Sequence, residues 1–567
     1  MAQKPVYYLG IDVGTSSARV VFVDGRGRVA VNVARSIETF RDPKDHRIYE
    51  QSTGNIWQSI CDATHEALSS SKISPEDVRG VGIDATCSLV VVDAEGSPVA
   101  VSGVHAERNV VLWCDHRAES QTRKVNEIGH EELRVLGCSM DLELDVPKLM
   151  WLRDNLSSDV IAKSTFFCLP DYLAHRATAT HFRPLNATPN CPAYPLPTTH
   201  YSPPGGWSTD FFHKHGLSAF APAFPHPPLA PGSSLARGLD AQAATDLGLL
   251  PGIAVGAAVV DCYSGYFATI AAPLPEADNS IEACSHRIAA ITGTSTCFVV
   301  QSPSPVDVHG VWGPLKDALF PGWYMSTGGQ SATGELISHV VTTHPAYAEL
   351  LESARSNGLT IFEQLDKHLE RLVAEKKIAS AVTLAKDVHL YPDFHGNRAP
   401  LSDAGMRGMW VGLTLDTSIN DLAIRYQATL EALALQFRHI FEEMNHAGHD
   451  VQQIFVSGGQ TTNRAFVQLI ADVCRLPVVL PDDASSVAKG SAILGRYAAE
   501  MQAWMDQQSP EQEHPHLWKC MTQMTQHGDI LLPSAPAETT SLLECKYRVF
   551  REMIDAQRRW TRLMRTS

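Results

Sequence analysis

"GIDVGTSSARVVFVDGRG" occupies residues 10–27, directly after the apolar "VYYL". Its Gly14-Thr15-Ser16-Ser17 has the composition of a phosphate-binding loop. The segment that follows, "ARVVFVD", is β-branched and apolar and runs into Asp24-Gly25, a hairpin signal. Gly-rich phosphate loops of the Walker and dinucleotide types lead straight into a helix. The order here is strand, tight turn, strand. "RIAAITGTSTCFVVQ", residues 287–301, repeats it: an apolar strand, Gly-Thr-Ser, then another β-branched strand. The chain therefore carries two copies of one unit, about 280 residues apart.

Residues 6–37 read as three strands, "VYYLGIDV", "ARVVFVD" and "VAVNVARSI", joined by short turns. A helix is expected over 53–72, then a buried parallel strand "VRGVGIDA" at 78–85. A further buried strand, "GIAVGAAVVD", ends at Asp261. Hairpins that lead into helix-linked parallel strands indicate a mixed α/β sheet. Later, Leu422, Tyr426, Leu430, Leu433, Phe437, Ile440 and Met444 form one apolar helical face, opened by Ser418 or Asn420 and stopped by Gly448. "VQQIFVSGGQTTN" reads as strand into loop, and Asn463 as the N-cap of the helix "RAFVQLIADVC". "GSAILGRYAA" is a helix whose small residues allow close packing. The tail from about 503 to 540 is polar and weakly patterned, and an amphipathic helix closes the chain.

At 567 residues the chain is too long for one core. The expected division is 1–275, 276–502, and a polar linker with a packed helix at 503–567. A content of 44% hydrophobic and 19% charged residues fits a globular protein in water. The net charge of −16 and the lack of a basic block argue against a nucleic-acid surface. No apolar run reaches about 18 residues, so no membrane span is expected. The twelve cysteines are scattered, without a C-x-x-C, and the N-terminus lacks a signal-peptide pattern. These features predict a cytoplasmic protein with buried thiols.

Two Gly-Thr-Ser hairpins, one per domain, can face each other across a cleft and clamp a nucleotide. Backbone N–H groups and hydroxyls at Gly14, Thr15 and Ser16, and at Gly293, Thr294 and Ser295, would meet phosphate oxygens. This is the logic of the actin-like ATPase clamp. Asp12 ends the first strand, placed to hold Mg²⁺ through water, and Arg19 could add charge.

Eight stretches in order carry a family resemblance: "GIDVGTSSAR", "WCDHRA" (113–118), "LELDVPKLMWL" (142–152), "AVVDCYSG" (258–265), "ITGTST" (291–296), "GVWGP…GGQSATGE" (310–335), "DFHGNRAPLSD" (393–403) and "VSGGQTTNRAFVQLIADV" (456–473). The sequence resembles the FGGY carbohydrate kinases, and within them the D-ribulokinases. The resemblance implies two actin-like ATPase (ribonuclease H-like) α/β domains flanking a nucleotide cleft. It implies ATP and Mg²⁺ as cofactors, a pentulose as partner, and it allows a homodimer. Asp261 is then the general base for the sugar hydroxyl, and Gly458, Gly459 and Asn463 form the adenosine site. The stretch Thr86-Cys87-Ser88-Leu89-Val90 resembles the ribulokinase "TCSLV" signature and would line the sugar pocket, with Asp115 and Gln330 as further sugar contacts. Asn397 and Arg398 are equally readable as a rigid turn near the cleft or as functional groups, and His116 reads as packed or on the surface.

Two departures bear on the sugar. The family carries a Ser/Cys-rich segment ending in a sugar-reaching Lys after "DYLAHRATAT". Here residues 184–204 are proline-rich, and no Lys stands between Lys163 and Lys214. Thr327 stands where many ribulokinases have an acidic residue. The leading expectation is phosphorylation of D-ribulose to D-ribulose 5-phosphate. The alternatives are a nucleotide-binding relative without catalysis or with a weakened sugar site, a kinase for another ketopentose or polyol, and an actin- or chaperone-like ATPase.

Overall fold

The computed structural model describes residues 5–565 except 104, 180–207, 221–228, 236, 276, 482–484 and 508–513. The proline-rich stretch 184–204 lies outside the described residues. The opening hairpin forms as expected: β1 (Tyr7–Val13) and β2 (Ser17–Asp24) pair antiparallel, and β3 (Val29–Ser36) continues the meander. Helix α1 (Thr53–Ser71), N-capped by Ser52, covers one face of this sheet. β4 (Val78–Ala85) then pairs parallel with β1. "GIAVGAAVVD" is not one strand. It makes two short ones, β5 (Ala254–Val255) and β6 (Val259–Val260), both parallel to β4. The break falls at Gly256, whose N–H donates to Val81 O at 2.9 Å. The sheet order is β5-β4-β1-β2-β3, with β6 also on β4.

The second unit repeats the first. β7 (Arg287–Thr292) and β8 (Thr296–Ser302) form the matching hairpin, with β10 (Tyr324–Gln330) antiparallel to β8 and β9 (Trp312–Lys316) outside it. β11 (Gln453–Gly458) runs parallel to β7, as β4 runs parallel to β1. β12 (Val478–Pro481) and β13 (Gly528–Leu531) complete the sheet. β13 comes from the stretch read as a polar linker. Its alternation is too short to register as a strand, and pairing with β12 supplies the order.

Two helices join the halves. α2 (Asp261–Thr269) leaves the first sheet and packs on β7 and β11. α5 (Ser486–Gln507), which follows the second unit in sequence, packs back on β4, β1 and α2. This contact explains the glycines of "YYLGIDV" and "VRGVGIDA". A Cβ at Gly82 would collide with the Ser491 carbonyl, and one at Gly10 with that of Ala488. The long helix α3 (Ile419–Ala447) starts after Ser418, ends at Gly448, and buries all seven residues of the expected apolar face. α4 (Arg464–Cys474) is capped by Asn463, whose Oδ1 accepts from Phe466 N. The closing helix α6 (Ala537–Arg565) lies on the second unit, against α3 and α4. Among the described residues no helix is long and apolar enough to cross a membrane.

Candidate active site

The two Gly-Thr-Ser turns meet at one cavity. Its volume is about 510 Å³, and its wall includes Thr15 and Ser16 from the first hairpin, Thr294 from the second, and Ser331 beyond β10. Each turn closes on its own glycine: Gly14 N–H donates to Ser17 O at 3.0 Å and Gly293 N–H to Ser295 O at 2.8 Å. The second turn is one residue shorter. It is braced by the segment leading into the helix Gly334–Thr342, where Thr333 N–H donates to Thr294 O at 2.8 Å and Gly334 N–H to Gly293 O at 3.1 Å. Gly293, Thr294 and Ser16 are exposed, so these turns offer surface to a ligand.

Three carboxylates stand where the first sheet meets α2. Asp12 is the last residue but one of β1, Asp84 lies beside it on β4, and Asp261 opens α2. Desolvation raises Asp12 against the pull of Arg19, and raises Asp84 further with the charge of Asp12 added. Asp12 and Asp84 are register partners on paired strands, so the charge of one disfavours the charge of the other. Ser491 Oγ on α5 donates to Asp84 Oδ2 at 2.6 Å. Asp261 remains partly accessible, and its Oδ1 accepts from Cys262 N at 2.7 Å. Burial, then Cys297 and Asp12, raise its carboxyl to about 7. Cys297 on β8 moves the other way, to about 6, through a hydrogen bond from the Cys262 thiol and the nearby Arg398. Among the described residues no group of three His, Cys, Asp or Glu forms a metal cage. The crowded Asp12–Asp84 pair, both carboxyls raised by burial, is a donor set that a cation would relieve.

Several expected contacts turn out to be internal braces. The Asp115 carboxylate is wholly buried and accepts from Tyr49 N at 2.7 Å and from the Arg117 guanidinium at 2.8–2.9 Å, with Glu50 on the other side of Arg117. Its neighbours Cys114 and His116 line the cavity instead, His116 half-buried at its wall. Gln330 is buried and donates to Leu433 O at 2.8 Å, holding β10 to α3. Ser88 Oγ pairs with Thr86 Oγ1 at 2.9 Å and accepts from Trp113 N at 3.1 Å. Of "TCS", only Cys87 keeps an accessible side chain, near Glu143, Lys148 and Asp261. Asn463 gives its Oδ1 to the helix cap and its Nδ2 to Tyr426 OH at 2.6 Å. At Gly458 a Cβ would strike Thr292 O, whereas Gly459 faces open space, so the second glycine is the one that leaves room for a ligand. Pattern alone could not separate these cases, because a side chain's partners come from distant segments.

Trp113, Glu143 and Arg398 also line the cavity, and Lys148 braces it from behind. Trp113 Nε1 donates to Thr15 Oγ1 at 2.9 Å, tying the "WCD" loop to the first turn. Lys148, fully buried, donates to Leu112 O, Trp113 O and Glu143 O at 2.9–3.0 Å. Glu143 and Arg398 approach each other across the cavity, 3.4 Å apart. All of these lie inside the motifs quoted above, which was the available signal. Thr327 is buried in β10, its Oγ1 without a partner among the described residues.

The sequence matches the N-terminal domain of the FGGY family of carbohydrate kinases over residues 7–268 and the C-terminal domain over residues 288–499. It is 39% identical over 572 residues to an FGGY carbohydrate kinase domain-containing protein of Xenopus laevis, covering 99% of this chain and 98% of that one. It is 38% identical over 522 residues to a D-ribulokinase of Saccharomyces cerevisiae, covering 87% and 72%. Among solved structures, a xylulose kinase from Rhodospirillum rubrum superposes with a TM-score of 0.71 at 20% identity, covering 98% and 99%. Paired hairpins over one cleft, a repeated sheet and these matches agree: the chain belongs to the FGGY family of carbohydrate kinases and is a two-domain α/β sugar kinase.

Proposed function

We propose that the protein transfers the γ-phosphoryl group of ATP to a hydroxyl of a pentulose, D-ribulose being the preferred acceptor. The observation that carries this reading is the meeting of both Gly-Thr-Ser turns at one cavity. The likeness to the yeast D-ribulokinase supports the choice of acceptor. In this reading Gly14–Ser16 and Gly293–Ser295 hold the phosphates, and the open backbone at Gly459 borders the adenosine. Asn463 shapes that border as a helix cap. Asp12 would hold Mg²⁺ through water, with Arg19 beside it. The cation supplies charge neutralisation at the phosphates.

The sugar lies against the end of β4, near Cys87, Trp113 and Glu143. Asp261 orients the attacking hydroxyl and receives its proton. Phosphoryl transfer has a loose transition state, so a carboxylate that accepts the proton late is sufficient. With its carboxyl near 7, Asp261 holds that proton well enough to act as base at neutral pH. Trp113 and Lys148 position the loop that faces the sugar. A weakened sugar site is a second reading, favoured by the prolines of 184–204 and the lack of a Lys there. Incubation with ATP and D-ribulose, read by ³¹P NMR, tests the proposal. A pentulose monophosphate formed one-for-one with ADP is expected. ADP and inorganic phosphate without a sugar ester would contradict it.

A further inference from the structure

Arg398 sits in a turn built to hold it still. Asn397 Nδ2 donates to Asp393 Oδ2 at 2.7 Å, and Leu401 N–H donates to Asn397 Oδ1 at 2.8 Å. Gln436 on α3 holds the other Asp393 oxygen at 2.5 Å. Asn397 is therefore the brace of the turn, and Arg398 is the residue the turn presents. The Arg398 side chain is only 9% exposed and lies over the Trp312 ring, 4.7 Å from its centroid. It lines the cavity shared by Thr15 and Thr294.

Its hydrogen bonding is incomplete. Nη1 stands 3.4 Å from Glu143 Oε2, longer than the roughly 2.7–2.9 Å of a full charge-assisted bond. Nε finds no acceptor among the described residues. Burial raises the partner Glu143 carboxyl to about 7, so the pair is not fully ionised at neutral pH. Cys297 is its other neighbour of opposite charge, yet the buried guanidinium keeps an unused Nε donor and lines a cavity. The Arg398 charge also acts on Asp261, pulling its carboxyl down against burial.

A phosphoryl group in transfer spreads charge over three equatorial oxygens, and a planar guanidinium fork matches two of them. We propose that Arg398 meets the transferred phosphoryl group, exchanging its loose contact with Glu143 for phosphoryl oxygens when the nucleotide enters. The inference rests on the kinase reading above and adds a catalytic residue from the second domain. In the step itself the sugar oxygen bonds to the γ-phosphorus as the bond to the β–γ bridging oxygen breaks. ADP leaves with that electron pair, the proton passes to Asp261, and Arg398 exchanges no covalent bond. Glu143, left without Arg398, faces the sugar.

Calorimetric titration of wild type and Arg398→Gln with Mg·ADP and with Mg·AMPPNP tests this without any sugar. The variant should lose about tenfold or more in AMPPNP affinity, as expected for a charge-assisted contact, while ADP affinity moves by less than about twofold. Turnover should fall by about 10²-fold or more. Should Arg398→Gln melt early, Arg398→Lys keeps the charge without the fork and should show an intermediate loss confined to AMPPNP. Equal losses for both nucleotides, or none for either, would overturn the proposal. A wild type that phosphorylates no sugar would sink the substrate reading, and the two titrations would still decide the part played by Arg398.

Discussion

At the scale of single residues, the site is governed by which carboxylates can be charged together. Asp12, Asp84 and Asp261 are desolvated neighbours, and all three are raised above the ordinary carboxylate range. Asp261→Asn removes the proton acceptor and should cut turnover by about 10² or more, with ATP affinity nearly kept, as measured by steady-state kinetics and nucleotide titration. Unchanged turnover would remove Asp261 from the mechanism. The wild-type kcat/KM should fall as pH drops through about 7, because the base is then protonated. Stability runs the opposite way. A folded-state pKa raised from 3.8 to about 7 stabilises the free protein fully below the lower value, and this contribution is lost as pH rises through the upper one. Asp261→Asn should therefore melt higher than wild type above pH 7, by on the order of 1–3 kcal/mol, and no higher near pH 4. The reading of residues from pattern was uneven for a physical reason. Asp261 and the two turns stand at strand ends, where a cleft is expected. Asp115, Gln330, Ser88 and Asn463 stand in equally suggestive motifs, but Tyr49, Leu433, Trp113 and Tyr426 engage their polar atoms. Those partners are remote in sequence and invisible to spacing.

At the scale of elements, local signals that agreed with each other were legible. β1, β2, β4 and α3 lie within one or two residues of their expected bounds, because period, turn residues and caps coincide there. β13 was not legible. It has four residues, and it is a strand only because the edge of β12 accepts it. The crossing of α5 over β4 and β1 was legible only as a run of small residues. It now has a sharp test. Gly82→Ala places a methyl against the Ser491 carbonyl, in backbone that cannot yield. Overpacking of this kind costs about 1–3 kcal/mol or more, read as a lower urea midpoint with little change in slope. A midpoint equal to that of wild type would show that α5 does not pack so closely.

At the scale of the molecule, two similar sheets face one cavity and are joined by α2 and α5. A clamp of this form should close when both ligands bind, excluding water from the transfer. Small-angle scattering should give a smaller radius of gyration with AMPPNP and D-ribulose together than with neither. An unchanged radius under saturating ligands would mean that the cavity is preformed. The central claim, that this clamp serves a pentulose, is tested most directly by kcat/KM from ADP release across D-ribulose, D-xylulose, L-ribulose and glycerol. A site that buries hydrogen-bonding groups penalises a sugar that leaves them unpaired by about 1–3 kcal/mol for each. D-Ribulose should give the highest kcat/KM, with a high KM reflecting the lysine missing between Lys163 and Lys214. A higher kcat/KM for D-xylulose or glycerol, or no stimulation of ADP release by any of the four, would contradict the account.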